Sequence, residues 1–177
     1  MSDFRVTQRE EILRSYVFSV ERVTVDGPEG QFQREIVKHP GAVAIVAVNQ
    51  NDEVALLRQW RATVGSNHYE IPAGTRDVHG ESPLVTAQRE LLEEIGATSE
   101  RWTELCTFLN SPGWTDQETV VFLAEDVSLS AAQPSGPEES SMTVEWVHRD
   151  AVRSMMRPGS HLDGTVTVGL RAWLALS

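Results

Sequence analysis

Residues 42–48 read Ala-Val-Ala-Ile-Val-Ala-Val, an apolar run in which no polar residue marks one side as facing water. Successive side chains of a strand point to opposite faces, so a run without alternation needs apolar cover on both. The segment therefore predicts a central strand between two layers. Other strand-like segments, alternating or β-branched, occupy residues 16–20, 22–25, 31–37 and 54–57, and later 102–109, 119–124 and 143–147. Turn chemistry at residues 26–30 (Asp-Gly-Pro-Glu-Gly) and 49–52 (Asn-Gln-Asn-Asp) falls where hairpin loops are expected. Two helices are expected near the end, at 149–156 and 165–176, and no internal repeat is visible. Strands interspersed with helices in 177 residues predict a single α/β or α+β sandwich with a mixed sheet.

The clearest helix is expected over about residues 83–95. Ser82 caps its first free amides, Pro83 suits the first helical position, and Gly96 can take the left-handed conformation that ends it. At 100° per residue Leu84, Ala87, Leu91, Leu92 and Ile95 gather on one side, while Glu90, Glu93 and Glu94 share another. Three carboxylates at i, i+3 and i+4 repel one another, by a few tenths of a kcal/mol per pair when solvated. One reading is a plain solvated acidic face. The other is a partly buried cluster, which converges only around a divalent cation, and oxygen ligands alone favour Mg²⁺ or Mn²⁺ over zinc.

The charge balance narrows the partners. Lys and Arg total 15 against 26 Asp and Glu, a net −11, which speaks against a nucleic acid or an anionic membrane as the main partner. An anionic ligand then needs a bound cation, or a few arginines gathered in one cleft. Cys106 is the only cysteine, so a disulfide within the chain and a cysteine zinc cage are excluded, and a reducing compartment fits best. The first residues lack a basic segment followed by an apolar stretch, and the longest apolar run is far below membrane-spanning length. A soluble cytoplasmic protein is expected. The five histidines are scattered without metal-ligand spacing, and no dinucleotide fingerprint, P-loop or nucleophile elbow occurs. Trp102, Trp146 and Trp173 read as core residues.

From Gly74 the sequence runs GTRDVHGESPLVTAQRELLEEIGA, which resembles the signature of the Nudix hydrolases, G-x5-E-x7-R-E-U-x-E-E-x-G-U with U aliphatic. The matching positions are Gly74, Glu81, Arg89, Glu90, Leu91, Glu93, Glu94, Gly96 and Ala97. Seven fixed letters coincide by chance with a probability of about 10⁻⁸ per starting point. One departure is an extra residue between Gly74 and Glu81. Beyond this box the chain is similar to the ADP-ribose pyrophosphatase branch of the family, from about residue 17 onward. The local matches are Arg34-Glu35-Ile36-Val37 followed by Gly41-Ala42-Val43-Ala44, Arg58-Gln59-Trp60-Arg61, Tyr69-Glu70-Ile71-Pro72-Ala73-Gly74, and Ser111-Pro112-Gly113.

The resemblance implies a Nudix-type α/β/α sandwich with a mixed sheet over residues 41–177. A β-rich extension over residues 1–40 is expected to serve dimerisation and substrate binding. It implies hydrolysis of the diphosphate of ADP-ribose, or a related nucleoside diphosphate sugar, to AMP and ribose 5-phosphate, with Mg²⁺ (or Mn²⁺) as cofactor. Glu90, Glu94 and the carbonyl of Ala73 correspond to metal ligands, with Glu81 and Glu93 in support. Arg89 is expected to orient neighbouring carboxylates, an ordinary ion pair to Glu93 being the alternative. In this branch the general base lies in a loop after the box. Glu138 matches best, four residues before Met142, and Glu139 is its neighbour, while solvated loop glutamates are the plainer reading of both. The dimer that the resemblance implies brings Phe18, Arg34 and Glu35 to the adenine from the second subunit; the alternatives are a core position for Phe18 and a solvated one for Arg34. Arg61 is expected on a phosphate oxygen, since guanidinium suits that geometry. Ser111, Gly113 and Trp114 are assigned to the substrate site, Trp114 by stacking or by packing. Where the branch often has an acidic residue, this chain has Gln117 followed by Glu118. Rival readings are a Nudix hydrolase of a nucleoside triphosphate or dinucleotide, a module that binds ADP-ribose without cleaving it, and an inert interaction protein.

Overall fold

The computed structural model describes residues 3–129 and 142–176. The chain opens with a meander of three antiparallel strands, β1 (Arg5–Arg14), β2 (Ser19–Gly27) and β3 (Gly30–Lys38). The strand expected at 16–20 starts only at Ser19, because residues 15–18 make a turn closed by Ser15 N–H on the Phe18 carbonyl at 2.8 Å. The polar segment before the turn forms β1, which shows no alternation and is exposed throughout. Cross-strand charge pairs flank it: Arg9 to Glu21 at 2.9 Å and Arg5 to Asp26 at 3.8 Å.

The body of the molecule comprises β4 (Ala42–Ala47), β5 (Glu53–Arg61), β6 (Ser66–Glu70), β7 (Ala73–Thr75), α1 (Pro83–Ile95), β8 (Ala97–Thr98), β9 (Arg101–Leu109), β10 (Glu118–Glu125), β11 (Ser128–Leu129), β12 (Thr143–His148), α2 (Arg149–Met155) and α3 (Gly164–Leu174). The main sheet has the order β7-β4-β10-β9. It is mixed: β4 and β10 run parallel, and the outer pairings are antiparallel. A second antiparallel sheet orders β12-β5-β6, and β8 pairs with β11. The long hairpin β5-β6 and the short β7 carry no strong sequence alternation, and only the part of β5 at 54–57 was expected.

The unbroken apolar run has a simple structural cause. Val43, Ile45 and Ala47 of β4 pack in one cluster with Ala87, Leu91 and Ile95 of α1, together with Val120, Phe122 and Ala124 of β10. Ala44, Val46 and Val48 pack in another with Ile71, Val152, and Val166, Leu170 and Trp173 of α3. Each strand of the centre therefore divides its side chains between a layer headed by α1 and a layer headed by α3. Removing from water a side chain such as Leu91, fully buried here, stabilises the fold by about 1.5–3 kcal/mol. Trp173 is buried, and Trp102 and Trp146 are half-buried against the α1 cluster.

Both ends of α1 match the expectation. Ser82 lies in extended backbone and accepts from Val85 N–H, while Gly96, at φ 63°, returns its N–H to the Leu91 and Leu92 carbonyls. The segment at 111–116 docks on the end of β3. Val37 N–H donates to the Trp114 carbonyl at 2.8 Å, and Asp116 receives His39 N–H at 3.0 Å and the Lys38 ammonium. Among the described residues no helix is long and apolar enough to cross a membrane.

Candidate active site

The acidic side of α1 is not a solvated face. The Glu90 side chain is only 14% exposed and Glu81 19%, because α1 leans on β7. Gly74 in β7 makes this approach possible: a Cβ at that position would run into the Glu90 carboxyl carbon. Any side chain at the glycine of the box would displace the Glu90 carboxylate from its present place. One turn on, Glu94 accepts from Ala73 N–H at 3.0 Å, so both carboxylates are drawn to the same two-residue stretch of backbone.

Arg89 sits among the remaining acids. Its Nη1 lies 2.8 Å from Glu90 and 3.1 Å from Glu93, and its Nη2 lies 3.5 Å from Glu81 and 3.8 Å from Asp77. The orienting role and the i, i+4 pair therefore coexist in one guanidinium. Burial raises the pKa of Glu90 above the usual glutamate range; Arg89 opposes this, and Glu93 and Asp77 add to it. Burial works against the Arg89 charge, but Glu90, Glu93 and Glu81 outweigh it and raise its pKa. The cluster holds more negative charge than one arginine balances.

These residues fit a hard divalent cation by their chemistry: carboxylate and carbonyl oxygens only, converging on Ala73 and Gly74. Among the described residues no three His, Cys, Asp or Glu side chains stand ready as a ligand set. Glu90 meets Arg89 through its Oε1, and Glu94 accepts from Ala73 N–H through its Oε2.

On the other side of Ala73 and Gly74 lies a cavity of about 590 Å³. Its walls come from the start of β4, the β5-β6 hairpin, β7, the start of β10 and the residues leading into α3. None of the α1 glutamates lines it; β7 is the boundary that acid cluster and cavity share. Arg61 is in the cavity wall, held by two bonds to Glu70, Nε to Oε1 at 2.7 Å and Nη2 to Oε2 at 2.5 Å. Gln117 also lines the cavity.

The other expected site residues are elsewhere. Phe18 is 39% exposed in the β1-β2 turn, which removes the core alternative. Arg34 stacks on the Phe32 ring at 4.5 Å, and Glu35 pairs with Arg22 at 2.7 Å, all on the meander. Ser111, Gly113 and Trp114 form the turn that docks on β3, with Trp114 exposed. None of these six residues lines the cavity of its own chain. Glu138 and Glu139 lie outside the described residues. Sequence reasoning passed over Asp77 and gave Glu70 no role. Glu70 lies nine residues from Arg61; the β5-β6 hairpin pairs Arg61 with Ser66 and Glu70 with Leu57, and the long Arg61 side chain reaches along it to Glu70.

With this geometry in place, comparison with known proteins gives the class. The description "NUDIX domain" matches residues 38–164, and the chain belongs to the Nudix family of hydrolases, whose members typically depend on a divalent metal. Among relatives, the chain is 36% identical over 157 residues to an ADP-ribose pyrophosphatase of Mycobacterium tuberculosis, an alignment covering 88% of this chain and 76% of the relative. It is 41% identical over 122 residues to an ADP-ribose pyrophosphatase of Bacillus subtilis, covering 68% and 65%. A crystal structure of an ADP compounds hydrolase superposes with a TM-score of 0.83 at 20% identity, covering 99% of this chain and 95% of the other, a likeness of fold.

Proposed function

We propose that the protein hydrolyses the diphosphate of ADP-ribose, or of a related nucleoside diphosphate sugar, to AMP and ribose 5-phosphate, with Mg²⁺ as cofactor and Mn²⁺ as a substitute. The observation that carries this reading is the convergence of Glu90 and Glu94 on Ala73 and Gly74 at the rim of a cavity large enough for a nucleotide. The relatives named above support the choice of substrate.

Glu90, Glu94 and the Ala73 carbonyl are the groups we assign to the metal, with Glu81 supporting them. A dication held there would supply charge to neutralise phosphate oxygens and would make water more acidic. Arg89 keeps Glu90 and Glu93 in register, so the acids do not splay apart when the site is empty of substrate. Arg61, oriented by Glu70, meets a phosphate oxygen from the cavity side. Glu138, or Glu139 beside it, takes the proton of the attacking water; the water oxygen bonds to one phosphorus while the bridging oxygen leaves with the other.

The active form in this reading is a homodimer. Phe18, Arg34 and Glu35 sit on the meander of residues 5–38, away from their own chain's cavity, which suits adenine contacts made to a second copy. A cytoplasmic location belongs to the same reading, supported by the single cysteine. Incubation with ADP-ribose and Mg²⁺, with products identified, tests the whole. AMP and ribose 5-phosphate, abolished by chelator, are expected. Release of inorganic pyrophosphate from a nucleoside triphosphate with no turnover of ADP-ribose, or binding without turnover, overturns it.

A further inference from the structure

The far wall of the cavity carries two histidines with no part in the chemistry above. His68, on β6, and His161, ahead of α3, meet edge to face, their ring centroids 6.2 Å apart and their planes at 79°. Both line the same cavity as Ala73, Gly74 and Arg61. One His68 ring nitrogen, Nε2, is 2.9 Å from Ser66 Oγ, which leaves Nδ1 for a ligand. Among the described residues the His161 ring has the contact with His68 and no hydrogen bond.

The other ionisable groups of the lining are already matched. Arg61 is gripped by Glu70, and Asp163 caps α3 through Thr165 N–H at 2.8 Å and Val166 N–H at 3.1 Å. Apart from the two histidines, the lining therefore offers no surplus cation for an additional phosphate. What it does offer, through two imidazoles with Gln117 and Thr165 in the same cavity, is a set of groups that donate or accept hydrogen bonds. Hydroxyl groups of a sugar are donor and acceptor at once and suit such a lining.

We propose that His68 and His161 bind the hydroxyls of the sugar beyond the diphosphate and determine which sugar the enzyme accepts. The inference rests on the nucleoside diphosphate sugar reading given above and deepens it. It separates recognition by place: the sugar end is read by this chain's own cavity, and the base is read elsewhere.

The test uses two substrate panels with wild type, His68→Ala, His161→Ala and the double variant. One panel keeps adenosine and varies the sugar (ADP-ribose, ADP-glucose, ADP-mannose); the other keeps glucose and varies the base (ADP-, GDP- and UDP-glucose). The expected result is a change of at least tenfold in the kcat/KM ratios between sugars, carried by KM, with base ratios held within twofold. His68→Asn and His161→Asn retain an amide donor and acceptor and should recover part of the sugar preference, which separates recognition from loss of fold. Sugar ratios unchanged within twofold in the double variant, or a change in base ratios instead, overturns the inference while leaving the proposed reaction intact. If wild type turns over no nucleotide sugar, the reaction itself falls, and calorimetry with ribose 5-phosphate decides the histidines. Binding weakened at least tenfold in the double variant then supports them, and equal binding, or none by wild type, overturns them.

Discussion

The two sides of β7 handle charge in opposite ways. Toward α1, four carboxylates, Asp77, Glu81, Glu90 and Glu93, surround one guanidinium, and Glu90 is held uncomfortably by its burial. Toward the cavity, one guanidinium, Arg61, meets one carboxylate, Glu70, in a matched fork. An excess of part-buried negative charge attracts a cation; a balanced pair is a preformed contact whose direction is fixed. The difference teaches that chemistry and recognition are divided between the faces of a three-residue strand, with Ala73 and Gly74 facing both.

The largest effect expected from breaking this division is on the acidic side. Glu90→Gln and Glu94→Gln each remove a full charge from the proposed metal site and should lower kcat at saturating Mg²⁺ by about 10³-fold, corresponding to several kcal/mol of lost charge stabilisation. Either variant keeping wild-type Mg²⁺-dependent turnover would remove the acid cluster from the mechanism. In chelator, the same Glu90→Gln change should leave thermal stability equal to wild type or raise it at neutral pH. A neutral amide no longer bears the burial that lifts the Glu90 pKa. A clear fall in the midpoint would mean that its pairing with Arg89 outweighs burial.

Gly74→Ala tests the strand between the two sides. The new methyl group would collide with the Glu90 carboxyl, which must swing away from β7. Turnover should fall about 10- to 100-fold, the range seen when groups that orient a metal ligand are disturbed, with a weaker apparent affinity for Mg²⁺. On the cavity side, Glu70→Gln should leave Arg61 in place but loosely aimed. KM for the nucleotide sugar should rise about tenfold with kcat changed less, the loss expected from weakening one charge-assisted fork. If Glu70→Gln instead depresses kcat and leaves KM alone, Glu70 belongs with the chemistry and the proposed division fails.

Much of this arrangement was legible in the sequence, for reasons that differ by element. The helix α1 was readable at both ends because Ser82, Pro83 and Gly96 fix them through local backbone chemistry. The two-layer core was readable from residues 42–48, since a strand covered twice has no polar face to show. By contrast, β1 is a polar strand paired at an edge, stabilised by cross-strand charges that no periodicity announces. The fork of Arg61 with Glu70 and the meeting of His68 with His161 depend on how the β5-β6 hairpin folds and on where α3 begins, both tertiary facts. The box letters named the acids, yet the reason for Gly74 became visible only with Glu90 packed against it.

The smallest predicted effect sharpens the comparison with a carboxylate whose shift is the reverse of that of Glu90. Asp116 binds the Lys38 ammonium and His39 N–H, joining the end of β3 to the segment that leads into Gln117 of the cavity wall. Burial pushes its pKa up, but the Lys38 hydrogen bond and the His39 amide outweigh it, so the net value lies below the ordinary aspartate range. A carboxylate with a depressed folded pKa contributes stability that is fully present above its unfolded pKa and is lost as pH falls through the folded value. Asp116→Asn should therefore cost about 1 kcal/mol at pH 7, a modest figure because the pair is part-exposed and screened by salt. The gap from wild type should close as pH drops below the ordinary aspartate range, when wild-type Asp116 is itself neutral. Denaturant titrations of both proteins across that range measure the gap, and a penalty independent of pH would assign the contribution of Asp116 to hydrogen-bond shape rather than to charge.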